Sequence, residues 1–334
     1  AFTLAHTYTS PSNSFQATTS AGFRRGYDDI NTVRVTTTDL LAGQQNIDRG
    51  ANVGATQNRL LVRSFAAYAQ EDVLLFDQRL FLSAGILGQK STNNAQVNKY
   101  FYYPKVAGSY RFQSIGPFND LKVRAAYGET GNEPTYGNKF STLAASVFQG
   151  LNALQLGTVV ASPDLHPERE KELEVGVDAG MFNSRVALSA TLYQKNNTDL
   201  LLQSRLAPST GFGTRFFNGG EIRNRGGEAS LTAFPIQGKD LSWMTRVTYS
   251  RNVGRVISLP VPAFAPPNAF ALAFGEGFIQ QGKSPSQIVG TVNGVQTILG
   301  DYEPDFSMGW SNEVNIGPVR LFGLIDWRDG GYAV

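Results

Sequence analysis

The chain has 334 residues, of which 17% are charged, with 29 Lys+Arg against 27 Asp+Glu and a formal net charge of +2. Ordinary soluble domains carry about 25% charge, and so balanced a chain, with no basic patch interleaved with aromatics, gives no electrostatic case for nucleic acid. The absence of cysteine excludes disulfides, thiolate metal sites and a cysteine nucleophile, and no run reaches about 18 consecutive apolar residues, so a spanning helix is excluded too.

In chain order, the sequence opens on strand-like AFTLAHTYTS and reaches a first short link near Gly26 to Ile30. A longer link follows at Ala42 to Asn58, then a short one at Phe76 to Gln78 and a long one at Gln89 to Lys99. After a short link at Gln113 to Asp120, LKVRAAY sets Leu121, Val123, Ala125 and Tyr127 on one face and Lys122, Arg124 and Ala126 on the other. Beyond the long link Gly131 to Glu170, ELEVGVDAGM divides Leu173, Val175, Val177 and Ala179 from Glu172, Glu174, Gly176 and Asp178. A short link at Met181 to Ser184 leads into RVALSATLYQ, where Val186, Leu188, Ala190 and Leu192 alternate with Ala187, Ser189, Thr191 and Tyr193. The long link Asn196 to Arg223 holds NGGEIRNRGGE and feeds the alternating run ASLTAF. Glycines at that density suit a sharply bent backbone at a strand mouth, because a phosphate cradle needs a helix behind it. SWMTRVTYSR alternates again after Pro235 to Asp240, and the last links are a long one at Gly254 to Glu303 and a short one at Gly317 to Pro318.

Period-2 alternation of this kind is the signature of strands with unlike faces, and helical periodicity is scarce. Short and long links alternate, which in an antiparallel meander puts turns at one end and large loops at the other. Loops of about 30 to 50 residues are uncommon in compact domains. Polar residues on the second face fit a water-filled interior, with hydrocarbon outside. The expected fold is all-β, an antiparallel up-and-down transmembrane β-barrel wall of about 13 strands, each of roughly ten residues, with short periplasmic turns and long extracellular loops.

The run from Leu165 to Gln203 resembles the late barrel of TonB-dependent outer-membrane transporters of the SusC/RagA type. Pro167, Glu168, Glu174, Gly176, Tyr193, Lys195, Thr198, Asp199 and Leu200 fall where that family's pattern wants them, and Asn218, Gly220, Asn224, Gly226 and Glu228 match its Asn/Gly signature. The blocks Tyr102 to Phe112, Leu121 to Pro134 and Gly300 to Gly331 agree, and the shared order holds from about Tyr68 onward. The resemblance implies import of a glycan, peptide or other large nutrient. It implies a SusD-like surface lipoprotein over the loops, the TonB complex acting through a plug, and outer-membrane lipid around the wall. Against a barrel of about 22 strands, residues 1–334 are expected to be part of one barrel domain, with the plug, N-terminal strands and closing C-terminal strands outside this chain.

Chemistry-bearing clusters are few. His6 and His166 lack ligand spacing, so a metal site, a cofactor and a catalytic base are not expected. Glu170, Glu172 and Glu174 share one strand face, which reads as a solvated lumen wall rather than acid–base machinery. Tyr100, Phe101 and Tyr102 suit either sugar stacking or an aromatic girdle. Phe264, Phe270 and Phe274 lie in a Pro/Phe-rich loop that serves either as a lid or docking surface, or as a segment packed on its neighbours. The alternatives to import are a passive porin-like or structural, adhesive barrel without a plug and, more remotely, a soluble β enzyme.

Overall fold

A computed structural model describes residues 1–334 apart from 13, 41, 267–274 and 333–334. The strands are β1 (Phe2–Thr9), β2 (Phe15–Leu40), β3 (Gly50–Leu75), β4 (Leu80–Ser91), β5 (Phe101–Phe112) and β6 (Phe118–Asn132), followed by the loop strands β7 (Leu143–Phe148), β8 (Leu151–Leu156) and β9 (Val159–Val160). Then come β10 (Glu168–Met181), β11 (Val186–Thr198), the loop strands β12 (Leu201–Arg205) and β13 (Thr214–Asn218), β14 (Glu221–Gln237) and β15 (Leu241–Ser258). The loop strands β16 (Glu276–Gly277), β17 (Gln287–Val292) and β18 (Val295–Asp301) precede β19 (Pro304–Ile316) and β20 (Val319–Gly330).

The wall is one 12-stranded sheet in the order β1-β2-β3-β4-β5-β6-β10-β11-β14-β15-β19-β20. Every neighbouring pair is antiparallel, so successive links fall at opposite ends. Two of the tight links share one device. Phe76, Asp77 and Gln78 have φ of 55, 56 and 66°, and Phe182, Asn183 and Ser184 have φ of 54, 56 and 60°. The twist of such left-handed turns matches that of the flanking strands. Arg79 and Arg185 close these turns with N–H bonds of 3.2 Å to the carbonyls of Phe76 and Phe182. At the other end, the loops carry small sheets of their own, β12-β13-β9, β16-β17-β18 and the hairpin β7-β8.

Burial runs opposite to that of a protein surrounded by water. Leu82, Gly108, Ala125, Val175, Leu192 and Gly227 form one cross-strand row on the outward face. Leu192 is 65% exposed and Leu173 52%, whereas Glu172, Glu174 and Asp178 on the opposite face are half-buried. An apolar face more exposed than a carboxylate face is stable only if hydrocarbon covers the first and water the second. The wall therefore has little core. Leu165, Val256, Ile288 and Val289, which are buried, lie at the long-loop end, where Val256 exchanges backbone hydrogen bonds with Gly282 and Lys283.

Two sequence expectations are corrected here. The wall has 12 strands among the described residues, close to the number expected, but their lengths run from 8 to 26 residues rather than roughly ten. Gly26 to Ile30 is not a link but the middle of β2, and most of the expected loop Ala42 to Asn58 is the start of β3. β1 pairs with β2 only as far as Phe23, and β4 pairs with β3 only from Ser64. Beyond those points β2 and β3 pair with each other among the described residues, as a two-stranded ribbon reaching roughly 50 Å past the wall. Water on both faces of that ribbon removes the apolar/polar alternation and lets turn-forming Gly26, Asp28 and Asp29 sit mid-strand. An Arg59–Asp29 ion pair at 2.7 Å, Arg63 over the Tyr27 ring and an Asn31–Gln57 amide bond tie its strands side chain to side chain.

Candidate functional site

The family-signature residues divide between a knot at the loop lip and a recess in the inner wall. At the lip, the Asn218 side chain accepts the His166 N–H at 3.0 Å and donates to the carbonyls of His166 at 2.7 Å and Asp199 at 2.9 Å. Glu168 accepts the Leu201 N–H at 2.6 Å and the Asn132 amide at 3.0 Å, just after the buried Pro167. Gly219 donates to Leu200 O at 2.9 Å, and Gly220 turns with φ of 82°, where an added Cβ would stand 3.1 Å from Ser258 O. One asparagine and one glutamate thus fasten the segment before β10 to both ends of the β11–β14 connection, while Gly220 brings the end of β15 against them. Asn218→Ala should cost about 1–3 kcal/mol through the unpaired carbonyls and N–H it leaves. Limited proteolysis should then cut between Thr198 and Glu221 while the wall strands stay intact; an unchanged digestion pattern would show the knot to be dispensable.

Below the knot, the register places Glu174, Tyr193, Gly226 and Asn252 in one row and Gly176, Thr191, Glu228 and Ser250 in the next. Glycine is required at two of these points. A Cβ on Gly226 would fall on the Tyr193 ring and within 2.5 Å of Arg251 O, and one on Gly176 would meet the Arg124 guanidinium carbon at 2.7 Å. The Tyr193 ring and the Arg124 guanidinium therefore lie flat across neighbouring strands. Arg124 reaches Thr191 Oγ1 at 2.5 Å and Asp178 at 3.4 Å, while Tyr193 Oη meets Asn252 at 3.2 Å. With Lys195, which bridges Glu170 at 3.3 Å and Glu172 at 3.7 Å, they frame a recess of about 400 Å³ whose lining includes Glu174, Asn224 and Glu228. A larger shallow recess of about 710 Å³ adjoins it, lined by the hydroxyls of Ser189, Thr191, Ser230, Thr248, Ser250 and Ser307 with Arg124 and Arg246. Arg124 and Asn252 carry no motif of their own. Only Gly176, opposite Arg124 in the register, could have pointed to a large side chain laid over it.

The four described candidate loop-contact residues do not form one surface. Tyr100 and Tyr102 lie at the outward side, their rings 6.4 Å apart, and continue a row through Phe65, Phe23 and Phe2. Phe101 points the other way and stacks on His166 at 6.4 Å with an interplanar angle of 7°. Phe264 is held by backbone bonds to Ile279 of 2.8 and 3.1 Å, and Phe270 and Phe274 lie outside the described residues. A further tie joins two loops: buried Lys139 donates to the carbonyls of Thr92 at 2.5 Å and Asn94 at 2.9 Å. Its burial holds the lysine pKa below the ordinary value.

Comparison with known proteins agrees with this architecture. The RagAB peptide transporter structure superposes with a TM-score of 0.80 at 16% identity, over 98% of this chain and 40% of that one. The outer-membrane transporter YddB from Escherichia coli superposes with 0.63 at 12% identity, over 98% of this chain and 41% of its own. Among curated relatives, TonB-dependent receptor P3 of Formosa agariphila is 31% identical over 182 residues, 51% of this chain and 18% of the relative. TonB-dependent receptor SusC of Bacteroides thetaiotaomicron is 25% identical over 180 residues, 48% of this chain and 18% of the relative. This chain therefore spans less than half the length of the solved chains it matches, and its aligned part is under a fifth of the curated ones. The family model for the TonB dependent receptor-like β-barrel matches residues 1–331, and with the inverted burial and the unbroken meander in place, the chain belongs to that outer-membrane family.

Proposed function

We propose that the chain supplies wall and extracellular loops to a TonB-dependent importer of a nutrient too large for porins, a glycan or a peptide. The observation that carries the reading is the inner wall itself. It presents carboxylates, hydroxyls and arginines to water in shallow recesses, beneath loops knotted together at Asn218. Such a surface suits a polar cargo that is held weakly and passed on. The chain performs no bond-making chemistry in this reading, and the whole protein would engage the TonB complex through a plug and a SusD-like lipoprotein over its loops. Deleting the gene in its host should abolish growth on one class of oligomeric nutrient, glycan or peptide, and leave growth on its monomers unchanged. Loss of TonB should reproduce that defect. Uptake that survives loss of TonB would make this a passive pore instead.

A further inference from the structure

Outward-facing positions of β10, β14 and β15 change character toward the loop end. On β10, Ala179, Val177, Val175 and Leu173 give way to Lys171; on β14, Ala233, Leu231, Ala229 and Gly227 give way to Arg225 and Arg223; on β15, Val247 and Tyr249 give way to Arg251 and Arg255. The register gathers these cations. Arg223 and Arg255 are direct partners, Arg225 faces Val253 and Arg251 faces Gly227, while Lys171 lies in the Arg223 row through Asn196. Like charges placed directly opposite each other across a strand pair destabilise it, so an anion is expected between them. The protein supplies little of it. Glu221 meets Arg223 Nη2 at 3.2 Å, Arg225 spends its Nε on the neutral Gln194 amide at 2.7 Å, and the Arg223 Nε is buried without an acceptor. Arg251, Arg255 and Lys171 form no ion pair among the described residues. Directly below lie exposed Leu192, Val175 and Leu231, with Val253 between the arginines.

We infer that Arg223, Arg225, Arg251 and Arg255 bind the anionic phosphate headgroup of an outer-leaflet lipid. Guanidinium groups present paired donors that match phosphate oxygens, and the flanking aliphatic side chains suit the first carbons of an acyl chain. A lipid is favoured over a dissolved phosphate because the cluster faces away from the lumen and sits at the upper border of the apolar band.

The test uses the whole protein, purified in a neutral detergent and titrated with micelles carrying phosphatidylglycerol or phosphatidylcholine, bound lipid being read by native mass spectrometry. The wild type should bind phosphatidylglycerol in preference to phosphatidylcholine. The double variant Arg223→Gln/Arg255→Gln should bind about thirtyfold more weakly, and Arg34→Gln on the exposed ribbon should bind as the wild type does. The charge-preserving pair Arg223→Lys/Arg255→Lys should recover most of the affinity, which separates loss of a site from loss of fold. Equal binding by wild type and the glutamine pair overturns the assignment, as does a folded lysine pair that binds no better than the glutamine pair. Inorganic phosphate that displaces the lipid at equal concentration would make this a site for a dissolved anion.

Discussion

Ala190→Arg should destabilise the folded wall by about 2–4 kcal/mol, the range for a cation near the bilayer midplane, whereas Ala187→Arg on the same strand should change stability by about 0.5 kcal/mol or less. The two alanines differ in facing, not in chemistry. Ala190 shares its row with Val177 and Ala229 on the hydrocarbon side, while Ala187 pairs with Gly180 and Thr232 on the lumen side. Arginine at position 190 must either leave its guanidinium in hydrocarbon or distort the bilayer to reach water. At position 187 it extends into the solvated interior, among Asp120, Asp178 and Arg246. Denaturant unfolding of the whole protein from lipid bilayers measures both. Equal costs at the two positions would mean that the faces have been assigned wrongly.

Gly226→Ala should cost about 1–3 kcal/mol, as overpacking does, and it should disturb the inner recess. The added methyl falls on the Tyr193 ring and against the Arg251 carbonyl, and that carbonyl belongs to the strand ladder and cannot move away. Tyr193 would have to leave its position across Gly226 and give up Asn252. Gly227→Ala is the control. Its methyl would meet the Leu192 side chain at 2.8 Å on the lipid side, where a flexible end can swing away, so the cost should stay well under that of Gly226→Ala. The spectroscopic environment of Tyr193 should change in the first variant and not in the second. A Gly226→Ala protein as stable as the wild type would remove the packing account of the signature glycine.

Some of this structure could be read in the amino acids because the membrane imposes two solvents on one sheet. ELEVGVDAGM and RVALSATLYQ alternate because each successive residue meets the other solvent, and they pair with their apolar residues on the same face. The β2–β3 ribbon failed to show for the same reason: in water on both sides, Tyr27, Asp28 and Asp29 follow no face rule, and a strand reads as a turn followed by a loop. The knot was visible only as a motif. Asn218, Glu168 and Gly220 could be named from their order, but what each does depends on His166, Asp199, Leu201 and Ser258 arriving from other links. The inner recess was hidden more deeply, since Arg124 and Asn252 become neighbours of Glu228 through strand register, which alternation fixes only to within two residues.

The knot at Asn218 also bears on how such proteins can be recombined. Three segments meet there: its bonds join the β6–β10 loop to the β11–β14 loop, and Gly220 packs closely against the end of β15. Each of those segments holds only part of a shared joint. A chimera that takes one loop from a relative brings a foreign half to each bond and leaves the native half without its match. Exchange of cargo preference between family members should therefore succeed when the three travel as a block, and one-at-a-time grafts should yield proteins with intact walls and disordered crowns.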